Sequence, residues 1–341
     1  MKCIRYAIFA LLLTGCVSPM NKFVIASLDG DLEGVKAGVS KFGVNKRDSW
    51  GQTSLLKASL NGHTDIVKYL LAQGADPNLG DYEGANPLFA AVQEGHIEIV
   101  RQLLDHGADV NIKEFNYKRT ALHKAARRGN VDIIDLLIRA GADIEIRDYK
   151  GVTALEIAAY ENQEDVVKFL ISKNAEIDAK DYQGATPLFK AAANGHMETV
   201  KLLVENGARI DGRDDFGCTP LCLAVSTGQL EMIRYLAGLG ADVNAQDERG
   251  FSTIYVAVQN NKPDVVKYLV SQGVDVNLGN KFGLTPLHRA VFDNSIDMVK
   301  LLLSLGAKID VKNDLGATPL DAAREAKSLK IVKLLESKME N

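Results

Sequence analysis

The chain repeats a pair of apolar patterns about every 33 residues. The first pattern opens on a Thr-Pro-Leu-like triplet, as at residues 186–188, and continues into small residues such as those at 191–192. In the second pattern apolar residues lie three and four apart, as in Ile99, Val100, Leu103 and Leu104. That spacing puts apolar side chains on one face of a helix. Each period therefore predicts two short helices, and the alanines of the first allow neighbouring helices to approach closely.

The residues at the ends of the predicted helices suit those positions. The threonine of the triplet can cap a helix N-terminus with its side-chain oxygen, and proline is tolerated in the first turn, where its missing N–H has no partner. A Gly-Ala-Asp sequence, as at 74–76, ends the second helix because glycine takes the left-handed conformation of a C-cap. Where glycine is replaced we expect asparagine every time, the residue next most tolerant of positive φ. The replacements are Asn162, Asn174, Asn261 and Asn294.

An anchor glycine marks the loop before most of the triplets. The anchors are Gly51, Gly84, Gly151, Gly184, Gly217, Gly250, Gly283 and Gly316. They are 33 residues apart, or 67 where the unit centred on Thr120 lacks its glycine. This unit of loop, helix, turn and helix resembles the ankyrin repeat. The resemblance implies an all-α solenoid of about nine to ten helix-turn-helix units joined by β-hairpin loops.

The two ends of the predicted solenoid, residues 23–341, differ from its middle. The first repeat is degenerate, and its residues 30–36 align with the second-helix region of the other repeats. The last repeat carries Lys327, Lys330 and Lys333 at positions where internal repeats bear more apolar residues. A terminal repeat has one face in water. We therefore assign 23–50 as an N-terminal cap and 316–341 as a C-terminal cap.

The first residues look like a targeting signal. A basic start is followed by an apolar run at 6–13, too short for a membrane-spanning helix, which needs roughly 20 residues. The run ends in Leu-Thr-Gly-Cys, which resembles a bacterial lipoprotein signal. That resemblance implies a signal peptide at 1–15, lipid on Cys16 and a tether at 16–22. An ordinary signal peptide with an accidental Cys16 is the alternative.

The lipoprotein resemblance also predicts where the protein resides. A lipid on Cys16 would anchor it to a membrane of the bacterial envelope, facing the periplasm. Val17 stands where an aspartate would signal retention at the inner membrane of enteric bacteria, so the resemblance favours the outer membrane.

The net charge and the positions of the histidines argue against nucleic-acid binding and against catalysis. The formal net charge of −4 gives no attraction to phosphate backbones, so we expect no nucleic-acid partner. The six histidines occupy positions that the repeat explains and are distributed over distant units, so they cannot converge on a metal or a nucleophile. We accordingly predict no catalytic residue, metal, cofactor or small-molecule substrate, and an enzyme is only the third hypothesis. Cys218 and Cys222 are interpreted as two ordinary thiols, with a disulfide in an oxidising periplasm as the alternative.

Stacked repeats offer a rigid surface, which lowers the entropic cost of binding. The ankyrin resemblance implies that a protein partner meets the hairpin tips and the concave helix face. The tips are rich in aromatic residues, which are typical of binding hot spots. The predicted partner-binding residues are Trp50, Tyr82, Phe115, Tyr117, Arg127, Arg128, Tyr149, Tyr182, Phe216, Phe251 and Phe282. Alternatively, neighbouring rings stack on one another and only stiffen the row.

The third full unit departs from the pattern. Between Asn111 and Thr120 it has one extra residue and no anchor glycine, so its hairpin must be reshaped. In the family, the positions of Arg127 and Arg128 face the concave side. The unit is a candidate specificity site, with neutral drift in a loop as the alternative. The sequence thus predicts a protein-binding module with a scaffold, protector or immunity-type role, and a self-associating envelope component is the second hypothesis.

Overall fold

The computed structural model describes residues 19–339 of the chain. The predicted signal peptide and the lipidated Cys16 lie outside the described residues. A helix starts at Pro19, inside the stretch that we assigned to the tether. The chain divides into two compact units, the first ending at Glu176 and the second beginning at Ile177. Between residues 19 and 339, no helix is long and apolar enough to cross a membrane.

The first unit contains ten described helices in five helix-turn-helix pairs. They are α1 (Pro19–Asp29), α2 (Leu32–Phe42), α3 (Ser54–Asn61), α4 (Thr64–Ala72), α5 (Pro87–Glu94), α6 (Ile97–Asp105), α7 (Ala121–Arg128), α8 (Val131–Arg139), α9 (Ala154–Tyr160) and α10 (Glu164–Ser172). The odd-numbered helices pack side by side in one layer, and the even-numbered helices form a second layer. The degenerate first repeat thus has both its helices, and α2 covers the region that the alignment assigned to the second helix.

The second unit repeats this arrangement with another ten described helices. They are α11 (Pro187–Asn194), α12 (Met197–Glu205), α13 (Pro220–Thr227), α14 (Leu230–Gly238), α15 (Thr253–Gln259), α16 (Pro263–Ser271), α17 (Pro286–Phe292), α18 (Ile296–Ser304), α19 (Pro319–Glu325) and α20 (Leu329–Met339). Again the first helices of successive pairs contact one another. In the described residues, β-structure is limited to two isolated bridges, Arg47 with Thr53 and Gln246 with Ser252. The predicted all-α repeat fold is confirmed.

The core follows the two apolar patterns of the sequence. The triplet leucines of the first unit are at most 1% exposed, namely Leu55, Leu88, Leu122 and Leu155. Burying one leucine side chain contributes about 1.5–3 kcal/mol, so a single repeat that left this face in water would not be stable. Alanines such as Ala91 and Ala125 are fully buried where the first helices meet. Their small side chains permit the close helix spacing that the sequence predicted.

Caps and turns bear out most of the local predictions. Thr186 Oγ1 accepts from the N–H of Phe189 at 3.3 Å, and Asn86 Oδ1 makes the equivalent bond to Phe89 at 2.8 Å. The four predicted asparagines all have positive φ, between 51° and 63°. The expectation that asparagine always replaces glycine was wrong, because Lys327 occupies the turn between α19 and α20 at φ 55°. Lys327 therefore adopts a left-handed conformation that strains its backbone.

Candidate protein-binding surface

Each hairpin loop that contains an anchor glycine is closed by hydrogen bonds to the side chain of one aspartate or asparagine. Asp81 Oδ1 accepts from the backbone N–H groups of Glu83 and Ala85 at 2.9 and 3.0 Å. The same pair of bonds is made by Asp48, Asp148, Asp181, Asp214, Asp247, Asn280 and Asn313. Such Asx turns bend the backbone without help from a β-ladder. These turns were not among the predictions from the sequence, although an Asp or Asn lies three residues before every anchor glycine.

Side-chain bonds between repeats hold successive hairpins in register. Asn78 Oδ1 accepts from the N–H of Asp109 at 2.8 Å, and its Nδ2 donates to the carbonyl of Gly107 at 3.1 Å. In the second unit Asn277 makes the same two bonds with the repeat that follows it, to Lys308 and Gly306. Because each amide bridges two backbones, it fixes the spacing of neighbouring loops.

Backbone bonds also join neighbouring tips. In the first unit Phe115 N–H donates to the carbonyl of Glu83 at 3.0 Å, and Tyr149 N–H donates to that of Tyr117 at 2.9 Å. In the second unit Glu248 N–H donates to the carbonyl of Phe216 at 2.9 Å. The tips of each unit are therefore pre-organised, which reduces the ordering cost of binding.

The tip rings of the first unit are held in place yet open to water. Trp50, Tyr82, Phe115, Tyr117 and Tyr149 are between 44% and 67% exposed. Because a glycine lacks a side chain, rings of the next repeat can lie against the anchor, and a Cβ at Gly51 would come within 2.9 Å of the Tyr82 ring. A Cβ at Gly84 would likewise be 3.0 Å from the Phe115 ring. The anchor glycines thus serve the aromatic row as well as the turn.

The tips of the second unit are less aromatic. Tyr182, Phe216 and Phe282 are between 56% and 68% exposed. In the later repeats the position equivalent to Tyr182 is charged instead, with Asp215, Glu248 and Lys281. Phe251 does not join the exposed rings, since it is half-buried and stacks on Tyr255 with ring centroids 4.7 Å apart.

Stacking between tips is limited in the described part of the chain. Tyr117 and Tyr149 make an edge-to-face contact, with centroids 5.5 Å apart and planes at 63°. That pair fits the alternative in which rings stiffen the loops. Tyr82 and Phe115 instead contact a glycine of the preceding repeat and present their remaining surface to solvent.

The two predicted arginines end α7, and both are exposed. Arg127 lies 3.0 Å from a carboxylate oxygen of Glu161 in the next repeat. Among the described residues Arg128 has no acidic side chain within salt-bridge distance. The charge that the sequence suggested is therefore partly neutralised.

The first-helix face also carries charges that the sequence analysis overlooked. Lys57 on α3 is 5% exposed, and this burial lowers the pKa of its ammonium group. In the second unit Lys190 on α11 reaches back to Asp181 Oδ2 at 2.7 Å. A lysine at the fourth position of a first helix can thus neutralise the carboxylate that closes its own hairpin.

Histidines bond mainly to backbone atoms. His63 and His96, each after an interhelix turn, contact the carbonyls of Leu28 and Leu60 in the preceding repeat at 2.9 and 3.3 Å. Burial lowers the pKa of His123 to about 4. Within residues 19–339 no three His, Cys, Asp or Glu side chains are grouped so as to hold a metal ion.

The two body cysteines are free thiols. A hydrogen bond from the Cys222 thiol lowers the pKa of Cys218, and the same bond together with burial raises the pKa of Cys222. Cys222 is buried at the start of α13, whereas Cys218 is partly exposed in the loop before it.

Comparison with known families finds one match. The family described as "Ankyrin repeats (3 copies)" matches residues 23–114, 113–181, 178–247 and 254–341. These segments cover nearly all of the repeats described above. A search of the curated proteins finds no match.

Proposed function

This chain belongs to the ankyrin-repeat family, and on that premise we propose that it binds a protein partner through its hairpin tips and the concave helix face expected of the family. Ankyrin repeats generally mediate protein–protein interaction, which supports a non-enzymatic binding module. The observation that carries the proposal is the set of exposed aromatic rings held on hydrogen-bonded loops.

Physical considerations favour a binding role for these rings. A ring half in water contributes less to folding than a buried one, because stabilisation scales with the apolar area removed from water. On a partner's surface the same ring would bury its remaining area with few rotatable bonds to restrict. The loops that carry the rings are already ordered, so binding requires little rearrangement.

We further propose that a lipid on Cys16 anchors the protein in the bacterial envelope, facing the periplasm. The support is the lipoprotein-like order of basic start, apolar run and Leu-Thr-Gly-Cys. A tethered binding module would concentrate its partner at the membrane, as a scaffold, a protector or an immunity-type protein would. Replacement Cys16→Ala should abolish labelling by a fatty-acid analogue, and persistent labelling would exclude this anchor.

Affinity purification from envelope extract tests the binding role. The full chain should recover one partner in stoichiometric amount, and Tyr82→Ala, Tyr149→Ala and Tyr182→Ala combined should abolish recovery. The matched control replaces three half-exposed tyrosines of second helices, in Tyr69→Ala, Tyr235→Ala and Tyr268→Ala, and should retain the partner.

A different result would change the proposal. Equal recovery of the partner by both triple variants would show that the tip rings are not part of the binding surface. Recovery of this chain alone would favour the self-associating envelope component. In the last repeat Leu315 and Leu329 are 92% and 73% accessible, so each could contribute an apolar contact to that second function.

A further inference from the structure

The hairpin of the third full repeat is one residue wider than the others. Lys118 takes the place of the anchor glycine at φ 54°, and its N–H donates to the carbonyl of Glu114 at 3.1 Å. In the regular hairpin before it, the bond from Gly84 to Asp81 spans one residue fewer. The extra residue lets this tip carry two aromatic side chains, Phe115 and Tyr117.

Tyr117 brings the tips of the third and fourth full repeats together. Its ring contacts that of Tyr149, and its carbonyl accepts from the N–H of Tyr149. Lys150 Nζ lies 5.5 Å from the centroid of the Tyr149 ring, and the Arg119 guanidinium lies 5.3 Å from that of Tyr117. We call the exposed residues Lys113, Phe115, Tyr117, Lys118, Tyr149 and Lys150 the basic-aromatic patch.

The patch has an excess of positive charge in an acidic protein. Residues 113–128 contain six basic residues and one acidic residue, whereas the whole chain has 40 basic and 44 acidic residues. Ion pairs use Lys124 with Glu114 and Arg119 with Asp148. In the described part of the chain, Lys113, Lys118 and Lys150 have no acidic side chain within salt-bridge distance.

We infer that the basic-aromatic patch binds an acidic segment of a partner protein, one that carries apolar side chains between its carboxylates. The inference rests on the proposed protein-binding function and names the chemistry of the partner. The three exposed lysines and three exposed rings of the patch are complementary to alternating carboxylates and apolar groups. A long polyanion such as nucleic acid fits poorly, because the chain as a whole is negative.

Charge complementarity of this kind sets specificity and the rate of association more than raw affinity. Each exposed ion pair contributes little by itself, so neutralising two lysines should weaken binding about fivefold. Added salt should weaken it as well, because these charges are accessible to solvent.

The test uses the full chain and a fluorescein-labelled peptide of alternating glutamate and phenylalanine. Lys118→Asn with Lys150→Gln removes two charges, and asparagine suits the left-handed backbone at 118. The control Lys68→Gln with Lys168→Gln removes two exposed lysines from second helices of the same unit. Fluorescence anisotropy should show binding that the patch variant weakens about fivefold and the control leaves unchanged.

Three results would overturn the inference. They are no binding of the acidic peptide, equal weakening by the patch and control variants, and preferential binding to vesicles of phosphatidylglycerol and phosphatidylcholine, which would indicate a lipid-facing patch. Failure here is distinguishable from failure of the proposed function, since a partner could still be recovered from extract through other tip rings. Unchanged thermal melting of both variants verifies that they fold.

Discussion

Nε2 of His123 donates to the backbone carbonyl of Val152 in the next repeat, over 3.1 Å. The other ring nitrogen, Nδ1, accepts from the backbone N–H of Thr120 at 3.1 Å and therefore carries no proton. The neutral ring thus closes the cap of its own helix and joins two repeats at once. His288 makes the same pair of contacts in the second unit, with Thr285 and Ala317.

This geometry predicts acid sensitivity. The pKa of His123 is about 4 in the folded protein against 6.5 for the free side chain, because burial opposes its charging. Since the folded-state value is depressed, the contribution of the neutral ring to stability is complete above pH 6.5 and is lost as the pH falls towards 4. We expect a loss of about 3 kcal/mol over that window, measured by urea unfolding at several pH values.

His123→Gln is the matched control for the pH dependence. Glutamine at the third helical position also closes a capping box, and it does not titrate. The variant should therefore show a flatter stability profile between pH 4 and 6.5. An unchanged profile would mean that other groups cause the acid sensitivity.

Lys327→Gly should stabilise the protein. Lys327 holds a left-handed conformation that costs an L-residue about 1–2 kcal/mol, whereas glycine adopts it freely but is more flexible in the unfolded chain. A net gain of about 0.5–1 kcal/mol in the free energy of unfolding is expected. Lys330→Gly, within α20, should instead destabilise by about 0.5–1 kcal/mol. If both substitutions destabilised the protein, the left-handed backbone at Lys327 would not be a source of instability.

Asp214→Ala should weaken its hairpin. Asp214 Oδ1 accepts from the N–H groups of Phe216 and Cys218 at 3.0 and 2.8 Å, and alanine would leave both donors without this partner. A loss of about 1–3 kcal/mol is expected in denaturant unfolding. Asp214→Asn should cost much less, because Asn280 and Asn313 fill the same role in later repeats. Equal losses would show that the carboxylate charge matters more than the hydrogen bonds.

Cys218 should react with iodoacetamide faster than Cys222. The hydrogen bond from Cys222 lowers the pKa of the Cys218 thiol, and the thiolate is the reactive form. Cys222→Ala should slow alkylation of Cys218, followed by mass spectrometry, whereas Cys222→Ser keeps a donor and should slow it less. Unreactive cysteines that become reactive only after reduction would indicate the disulfide.

The aromatic residues of the hairpin tips could be predicted from the sequence, because their distance from the anchor glycine repeats along the chain. Phe251 was predicted as one of the binding rings, yet it packs on Tyr255 while Phe216 and Phe282 remain exposed. Phe216 and Phe282 precede their anchor glycines, whereas Phe251 follows its own, and this two-position shift decides between the outcomes. Periodicity alone does not show where each ring points.

The sequence by itself determined the features that depend on local chemistry. Its period, its threonine caps and its asparagines in left-handed turns predicted the helices and their ends, because each acts within a few residues of its own position. Only the tertiary structure decided the contacts between residues about one repeat apart, such as the amide of Asn78 with Gly107 and the ring of Tyr117 with Tyr149. Those contacts exist because the repeats stack, and stacking sets distances that no single repeat encodes.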